Sequence, residues 1–198
     1  MSDNIFDVSL LGEDATLERL RERLSATAEP AGLLDVAYRT LDTPVGTLLL
    51  AATPVGLVRV AFDIEDHDTV LARLADQLSP RILRSPARLD PVARQIDEYF
   101  AKRRTDFDVA VDLSLTDGFR RSVIEHLRDI DYGRRESYAQ VAAAIGSPRA
   151  VRAVGSACAH NPLPVVIPCH RVVRSDGSTG QYVGGPLAKS VLLDLEAA

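Results

Sequence analysis

The sequence has no tryptophan, two cysteines and one methionine. Two cysteines are too few for a disulfide framework, and the four histidines do not stand at the short spacings of a structural zinc site. The longest apolar stretch, residues 45–62, is interrupted by Gly46, Pro54, Gly56 and Arg59, so it falls short of the roughly 20 apolar residues of a membrane helix. We therefore expect no disulfide, no metal ion and no membrane span.

The N-terminus does not resemble an export signal, because residues 1–7 are acidic and lack a basic region followed by an apolar segment. With 198 residues, of which 46% are hydrophobic and 26% charged, the chain has the composition of an ordinary globular protein of one or two small domains. We expect a cytoplasmic protein whose cysteines stay reduced.

The charge is unevenly distributed along the chain. The net charge is -5, yet residues 119–174 hold nine Lys and Arg against four Asp and Glu, a local net charge of +5. Residues 1–118 hold 13 basic and 21 acidic residues. A basic segment within an acidic chain indicates a localised surface for a polyanion such as DNA, although a solvated surface has the same composition.

The first half of the chain predicts an α+β domain. Two Thr-Pro-Val-Gly turns separate β-favouring runs and predict a three-stranded antiparallel meander with strands Asp35–Leu41, Thr47–Ala52 and Leu57–Phe62. Helical spacing of apolar residues predicts helices over residues 13–28, 70–78 and 92–100. Residues 106–115 are predicted to be a linker that is able to pair as an edge strand.

The second half predicts a mostly helical domain with a helix-turn-helix. A first helix opens at Phe119, and a capping box from Ser137 to Gln140 begins a second helix that ends near Ile145. Ser147 is predicted to cap a third helix, which runs from Arg149 to His160 and has small residues along one face. That face suits close approach to a ligand or tight packing on a neighbouring helix.

The predicted fold class is therefore α+β: an N-terminal antiparallel sheet with helices, followed by the helical C-terminal domain. We predict an N-terminal extension over residues 1–33, an α/β domain over 34–112 and a mostly helical, basic domain over 113–198.

Cys169 is the candidate nucleophile. It follows a predicted buried, extended segment over residues 161–167, and His170 and Arg171 supply a base and a cation beside it. Such neighbours favour the thiolate, the nucleophilic form of cysteine. A glycine-containing loop from Ser175 onward is of the kind that encloses a ligand. A buried cysteine that serves only as a small hydrophobe is the alternative.

The run Pro168-Cys169-His170-Arg171-Val172-Val173 resembles the active-site signature of the O6-alkylguanine-DNA alkyltransferases, or methylated-DNA-protein-cysteine methyltransferases. The resemblance covers residues 34–198, is strongest from Phe119 onward, and implies that residues 113–198 form the DNA-binding and alkyl-acceptor domain. It implies a ribonuclease H-like N-terminal domain. It also implies DNA repair, in which an alkyl group passes once from O6-alkylguanine in duplex DNA to Cys169, after the base has been flipped out of the helix.

The resemblance also implies catalytic roles. Cys169 would accept the alkyl group, while His170 would act as a base through a bound water and Glu196 would orient His170. Asn161 would brace the turn before the active site, and Tyr138 would protonate or polarise the departing guanine.

The DNA and substrate contacts follow from the same resemblance. Arg152 would enter the base stack from a helix in the minor groove. The other expected DNA contacts are Arg149, Ala153, Gly155, Ser137 and Arg174. The expected substrate pocket consists of Val172, Tyr182, Val183 and Gly184, with the backbone carbonyls of Cys169 and Val172 as acceptors for the guanine amino group.

The resemblance implies a monomer that needs no cofactor, with cooperative assembly on DNA left open. Three positions depart from the family pattern: Ile124 stands where Trp is common, Asp131 stands where Pro is usual, and Val183 stands where some members have Ser. Two other functions are compatible with the residues, a non-catalytic protein that binds alkylated DNA and a Cys-His-Glu hydrolase.

Overall fold

A four-stranded mixed sheet forms the first half of the protein. The computed structural model describes residues 31–197, together with residues 16, 19–20, 23–24 and 27–28. The sheet has the order β3-β2-β1-β4. Its strands are β1 (Val36–Thr43), β2 (Gly46–Ala52), β3 (Leu57–Phe62) and β4 (Ile82–Arg84). The predicted antiparallel meander is confirmed in β1, β2 and β3.

The fourth strand was not predicted. It pairs in parallel with β1, from Val36 opposite Ile82 to Tyr38 opposite Arg84. A strand of three residues is too short to show an alternating pattern, and its partner lies more than forty positions away. The predicted edge pairing of residues 106–115 is limited to a single parallel bridge between Val111 and Leu57.

Two helices cover opposite faces of the sheet. They are α1 (His67–Gln77) and α2 (Pro86–Phe100). Both faces of β2 are buried: Leu48 and Leu50 pack in the cluster that includes Ile96 of α2, whereas Leu49 and Ala51 pack with Val70 and Leu74 of α1. The helix predicted from residue 92 begins earlier, at Pro86, because the proline at 91 is accommodated within it.

The second half contains four helices and a two-stranded sheet. These are α3 (Gly118–Leu127), α4 (Tyr138–Ala144), α5 (Val151–Ala159), α6 (Gly185–Glu196), β5 (Glu136–Ser137) and β6 (Val172–Val173). The capping box is confirmed, since Ser137 Oγ accepts from the Gln140 amide and the Gln140 side chain accepts from the Ser137 amide. β5 pairs in parallel with β6 and so brings Tyr138 close to the segment that follows Cys169.

The predicted start of α5 is wrong. Ser147 does not cap this helix, which begins at Val151 after a turn closed by Ala150. The amide of Ser147 instead donates to the Ala142 carbonyl (2.8 Å) and the amide of Gly146 to Ala143 (3.0 Å), with Gly146 at φ 70°. This is the pattern of a Schellman motif, so Ser147 ends α4 rather than starting α5.

One buried cluster joins the two halves of the chain. It contains Phe62 and Tyr99 from the first half together with Leu127 and Val172 from the second. None of the helices over the described residues is both long and apolar enough to span a bilayer. The helix predicted over residues 13–28 falls largely outside the described residues.

Candidate active site

Asn161 closes a tight turn that leads to Cys169. The Asn161 side chain is fully buried; its Nδ2 donates to the Ile167 carbonyl (2.9 Å) and its Oδ1 accepts from the Leu163 amide (3.0 Å). Residues 161–167 are buried as predicted, except for the half-buried Val166, but they form turns rather than an extended segment. Val165 has φ 72°, a left-handed conformation that is costly for a β-branched residue and requires support from its surroundings.

Arg59 of β3 holds the same turn from the other half of the chain. Its Nη1 donates to the carbonyls of Asn161 (3.4 Å) and Pro162 (3.2 Å), while its Nη2 pairs with Glu65. The amide of Val60 also donates to the Pro162 carbonyl, at 2.8 Å. The geometry of the Asn161 turn therefore depends on the sheet as well as on its own residues.

Cys169 opens a short 3-10 helix, Cys169–Arg171, and the residue is only 2% exposed. Burial raises the pKa of its thiol to about 11, although a hydrogen bond with Asn161 and the charge of Lys189 oppose the rise. In this closed arrangement Cys169 is a protonated thiol. It therefore needs a base before it can act as a nucleophile.

His170 supplies a buried base whose two ring nitrogens have different surroundings. Nε2 lies 2.9 Å from Glu196 Oε1, and Nδ1 is buried with no hydrogen-bond partner among the residues that the structure describes. Burial lowers the pKa of His170, so the ring is neutral near pH 7. With Nε2 donating its proton to the carboxylate, Nδ1 carries the free lone pair and is the atom able to accept a proton.

The Glu196 carboxylate accepts several hydrogen bonds besides that of His170. Its other donors are Tyr99 Oη (2.7 Å), Arg171 Nε (2.9 Å), Arg171 Nη2 (2.8 Å) and the Gly133 amide (3.3 Å). Burial by itself would raise the pKa of Glu196, but the hydrogen bonds from His170 and Arg171 outweigh burial and hold the pKa far below its usual range. Glu196 is therefore ionised at neutral pH.

The prediction that Arg171 acts as a cation beside Cys169 is wrong. Its guanidinium is turned toward Glu196, as a bidentate pair, and toward the carbonyl of Ile130. A guanidinium fork matches a carboxylate in geometry, so the pairing with Glu196 holds Arg171 in this direction. Arg171 thus orients the carboxylate that in turn holds His170.

Lys189, rather than Arg171, supplies a positive charge that acts on Cys169. It lies on α6, is fully buried, and donates from Nζ to the Val172 carbonyl at 2.6 Å. Burial lowers its pKa, and its charge lowers the pKa of Cys169. Lys189 was not predicted as a site residue, although Lys189 and Glu196 stand seven positions apart on the apolar face of α6, where buried charges are unusual.

Tyr138 lies between the thiol and the glycine-containing loop. Burial raises the pKa of its hydroxyl, with further contributions from Cys158 and Cys169, so it is a protonated donor at neutral pH. The backbone of Gly180 approaches it so closely that an added Cβ would lie 2.9 Å from Tyr138 Oη. The backbone of the loop therefore packs directly against the Tyr138 side chain.

Of the expected pocket residues, Tyr182 packs against His170 and Gly184 against Phe62, whereas Val183 lines a groove next to the Asn161 turn. The ring of Tyr182 stands edge-on to His170, with centroids 6.3 Å apart, and edge-on to Phe62 of β3 at 5.6 Å. A Cβ at Gly184 would lie 2.6 Å from the Phe62 ring, so only glycine fits there. Val172 O already accepts from Lys189, which leaves one lone pair of that carbonyl for a ligand.

The residues expected to contact DNA are mostly on the surface. Arg152 and Ala153 are exposed on α5, Arg149 is exposed in the turn before it, and Arg174 is exposed after β6. Gly155 and Ser137 differ from this pattern. An added Cβ at Gly155 would lie 3.9 Å from the Tyr138 ring, and the Ser137 hydroxyl is engaged in the capping box.

No three His, Cys, Asp or Glu side chains among the described residues are grouped so that they could hold a metal ion. The second cysteine, Cys158, is buried on α5, and burial raises its pKa well above the usual range of a thiol.

The chain is similar to known proteins over both of its halves. The family model for 6-O-methylguanine DNA methyltransferase, DNA binding domain, matches residues 118–198, and that for its ribonuclease-like domain matches residues 36–113. Proteins of Mycobacterium tuberculosis and Mycobacterium bovis, both named methylated-DNA–protein-cysteine methyltransferase, are each 37% identical over 167 residues. These alignments cover 81% of this chain and 92% of the relatives.

The crystal structure of O6-methylguanine methyltransferase from Mycobacterium tuberculosis superposes with a TM-score of 0.72 at 35% identity, covering 82% of this chain and 93% of that one. A structure of Mycobacterium tuberculosis OGT in complex with DNA gives a TM-score of 0.70 at 36% identity, covering 81% and 92%. These structures confirm the predicted α+β fold class. Because family models match both halves and full-length relatives exceed 30% identity, the chain belongs to the 6-O-methylguanine DNA methyltransferase family.

Proposed function

We propose that this protein repairs DNA by moving an alkyl group from the O6 atom of guanine onto Cys169. The observation that carries the proposal is the buried series of Cys169, His170 and Glu196. In it His170 is fixed through Nε2 and keeps Nδ1 free to accept a proton. The exposed, small-residue helix α5 with Arg152 supports DNA as the partner.

The proposed reaction begins with transfer of the thiol proton of Cys169 to His170 Nδ1, through a bound water. Glu196 stabilises the imidazolium that forms, and Lys189 stabilises the thiolate. The Cys169 sulfur then attacks the alkyl carbon, a C–S bond forms, and the C–O bond to guanine breaks. The electron pair of that bond stays on guanine, which takes up the released proton and leaves as the unmodified base.

Tyr138 supports the departure of guanine in this scheme. Its protonated hydroxyl is able to donate a hydrogen bond to the leaving base as negative charge develops on it. The remaining lone pair of the Val172 carbonyl would accept the guanine amino group, and Tyr182, Val183 and Gly184 would form the wall of the pocket. Asn161 keeps Cys169 in place by closing the turn before it.

The thioether product does not hydrolyse, so each molecule acts once and needs no cofactor. Because Cys169 is covered, the alkylated base must leave the duplex and displace the loop around Gly180. Arg152 would fill the space in the base stack, while Arg149, Ala153 and Arg174 contact the flanking backbone. We propose that the protein acts as a monomer on O6-alkylguanine in duplex DNA.

An intact-mass measurement tests this function. The protein is incubated with a duplex that contains O6-methylguanine, and we expect the mass of one methyl group to be gained, on Cys169 by peptide mapping. Cys158→Ser is the matched control and should gain the same mass, whereas Cys169→Ser should bind the duplex and gain none. Binding without a mass gain in the native protein would indicate a lesion-binding protein, and repeated turnover would indicate a hydrolase.

A further inference from the structure

A polar groove lies between the two halves of the chain, next to the Asn161 turn, and Asn161 and Val183 of the site described above form part of its lining. It is a cavity of about 220 Å³. Its walls come from β3 and α1 on one side and from α3 and the end of α5 on the other. The polar residues that matter for its charge are Arg59, Glu65, Arg73, Arg120 and His160.

The groove carries an excess of positive charge. Its acidic residue, Glu65, is already paired with Arg59. Arg73 of α1 and Arg120 of α3 are both exposed, and neither takes part in an ion pair or side-chain hydrogen bond within the described part of the chain. Two guanidinium groups that face one groove without carboxylate partners form a surface suited to an anion.

The groove continues the exposed face of α5. Arg152, Ser156 and Ala159 stand at positions i, i+4 and i+7 and are all exposed, so they form one stripe along the helix. Ala159 and His160 at the end of this stripe line the groove. From Arg152 to Ala159 the helix rises by about 10 Å, so a duplex held along α5 reaches the groove within a few base pairs.

We infer that this groove is a second contact surface for DNA, where Arg73 and Arg120 bind backbone phosphates of the duplex that α5 engages. The inference rests on the proposed function for DNA as the partner, and it adds a contact from the first half of the chain. Phosphate contacts position a duplex without reading its sequence. The surface therefore contributes affinity and orientation on any duplex.

The salt dependence of DNA binding tests this surface. Affinity for an unmodified duplex of two helical turns is measured over a series of salt concentrations for the native protein, Arg73→Ala, Arg120→Ala and the double variant. Removal of one arginine–phosphate interaction should reduce the slope of log affinity against log salt by about 0.9, and the double variant should show about twice that reduction.

Arg94→Ala provides a matched control. Arg94 is also an exposed arginine on a helix, but it borders a different groove that contains Asp90, Asp97 and Glu98. The same change of charge there should leave the slope unaltered. Thermal unfolding of each variant confirms that the fold is retained, which is expected because all three arginines are exposed.

The inference is overturned if Arg73→Ala and Arg120→Ala, like the control Arg94→Ala, do not change the slope of log affinity against log salt. The groove would then be only a solvated surface. The inference is equally overturned if both variants weaken binding by a factor that does not vary with salt. Methyl transfer to Cys169 is followed separately by mass. If the native protein transfers no methyl group, the proposed function is refuted. If transfer is normal but the salt slopes of the variants are unchanged, only the inference that the groove binds DNA is refuted.

Discussion

The hydroxyl of Tyr99 donates a hydrogen bond of 2.7 Å to Oε1 of Glu196, the oxygen that also faces His170. Tyr99 lies on α2 in the first half of the chain, and Glu196 lies on the last turn of α6. The buried carboxylate of the candidate active site is therefore held by both halves of the protein.

Removal of this hydrogen bond should weaken the fold and slow the reaction. In Tyr99→Phe, a buried charged acceptor loses one donor, so we expect the free energy of unfolding to fall by about 1.5 to 3 kcal/mol. Single-turnover methyl transfer should also be slower, because His170 is held less firmly. Urea unfolding and quenched-flow rates measure the two effects.

Tyr132→Phe is the control for this prediction. Tyr132 Oη donates to the uncharged carbonyl of Leu195 (3.1 Å) and the residue is only half-buried, so we expect a loss of about 1 kcal/mol or less. Equal effects of the two substitutions on the rate would contradict a specific role for Tyr99.

The stability of the protein should fall with acid in a way that depends on Glu196. Because the pKa of its carboxyl is lowered in the folded state, the unfolded chain takes up a proton from about pH 4.5 downward while the folded protein does not. The stabilisation is thus complete above the unfolded pKa and is lost as the pH falls below it.

Glu196→Gln should therefore flatten the dependence of the melting temperature on pH in this acidic range. Glu125→Gln, at an exposed glutamate paired with Arg121, is the same chemical change and should leave the dependence as in the native protein. Melting curves recorded from about pH 6 to about pH 3 provide the comparison. A native slope in Glu196→Gln would show that other carboxylates dominate acid unfolding.

Loss of the buried cation should make the nucleophile harder to ionise. Because the charge of Lys189 lowers the pKa of Cys169, Lys189→Met should raise that pKa and shift the pH profile of Cys169 reactivity upward. The reaction with iodoacetamide, followed by mass in a Cys158→Ser background, measures the profile. Lys102→Met, at an exposed lysine after α2, should leave the profile unchanged. An unshifted profile for Lys189→Met would exclude this electrostatic role.

The loop contact with Tyr138 should control access to Cys169. Gly180 and Gly177 both have positive φ, 66° and 83°, so alanine is strained at either position. Only at Gly180 does the added methyl group meet the Tyr138 hydroxyl; nothing lies within 4 Å at Gly177. We expect Gly180→Ala to displace the loop and speed the reaction of Cys169 with a bulky disulfide reagent. Similar rates for the two variants would show that the loop does not cover the thiol through this contact.

Local patterns predicted much of the fold. The two Thr-Pro-Val-Gly turns and the capping box at Ser137 depend on residues within a few positions of each other, and both produced the expected elements. The errors concern non-local features. β4 is defined by its pairing with β1, and Ser147 was assigned to the wrong helix because the Schellman bond to Ala142 competes with capping.

The residues of the site were also predicted only in part, because some of their contacts are non-local. The Cys169-His170 pair and Glu196 are visible in the sequence through family resemblance, and their roles remain predictions. The direction of Arg171, however, follows from a pairing with a residue 25 positions away. No sequence pattern identified Tyr99 as a site residue, because a tyrosine on the apolar face of a helix is typical of a hydrophobic core.

The sequence by itself determined the order of the elements, the turns between them, the basic character of the second half and the chemical groups available for reaction. The tertiary structure alone decided which of those groups share a buried space. Tyr99 and Glu196 meet across 97 positions, and Lys189 rather than Arg171 is the cation whose charge reaches Cys169. Burial and hydrogen bonding set the protonation of such groups, and both depend on neighbours that only the folded chain brings together.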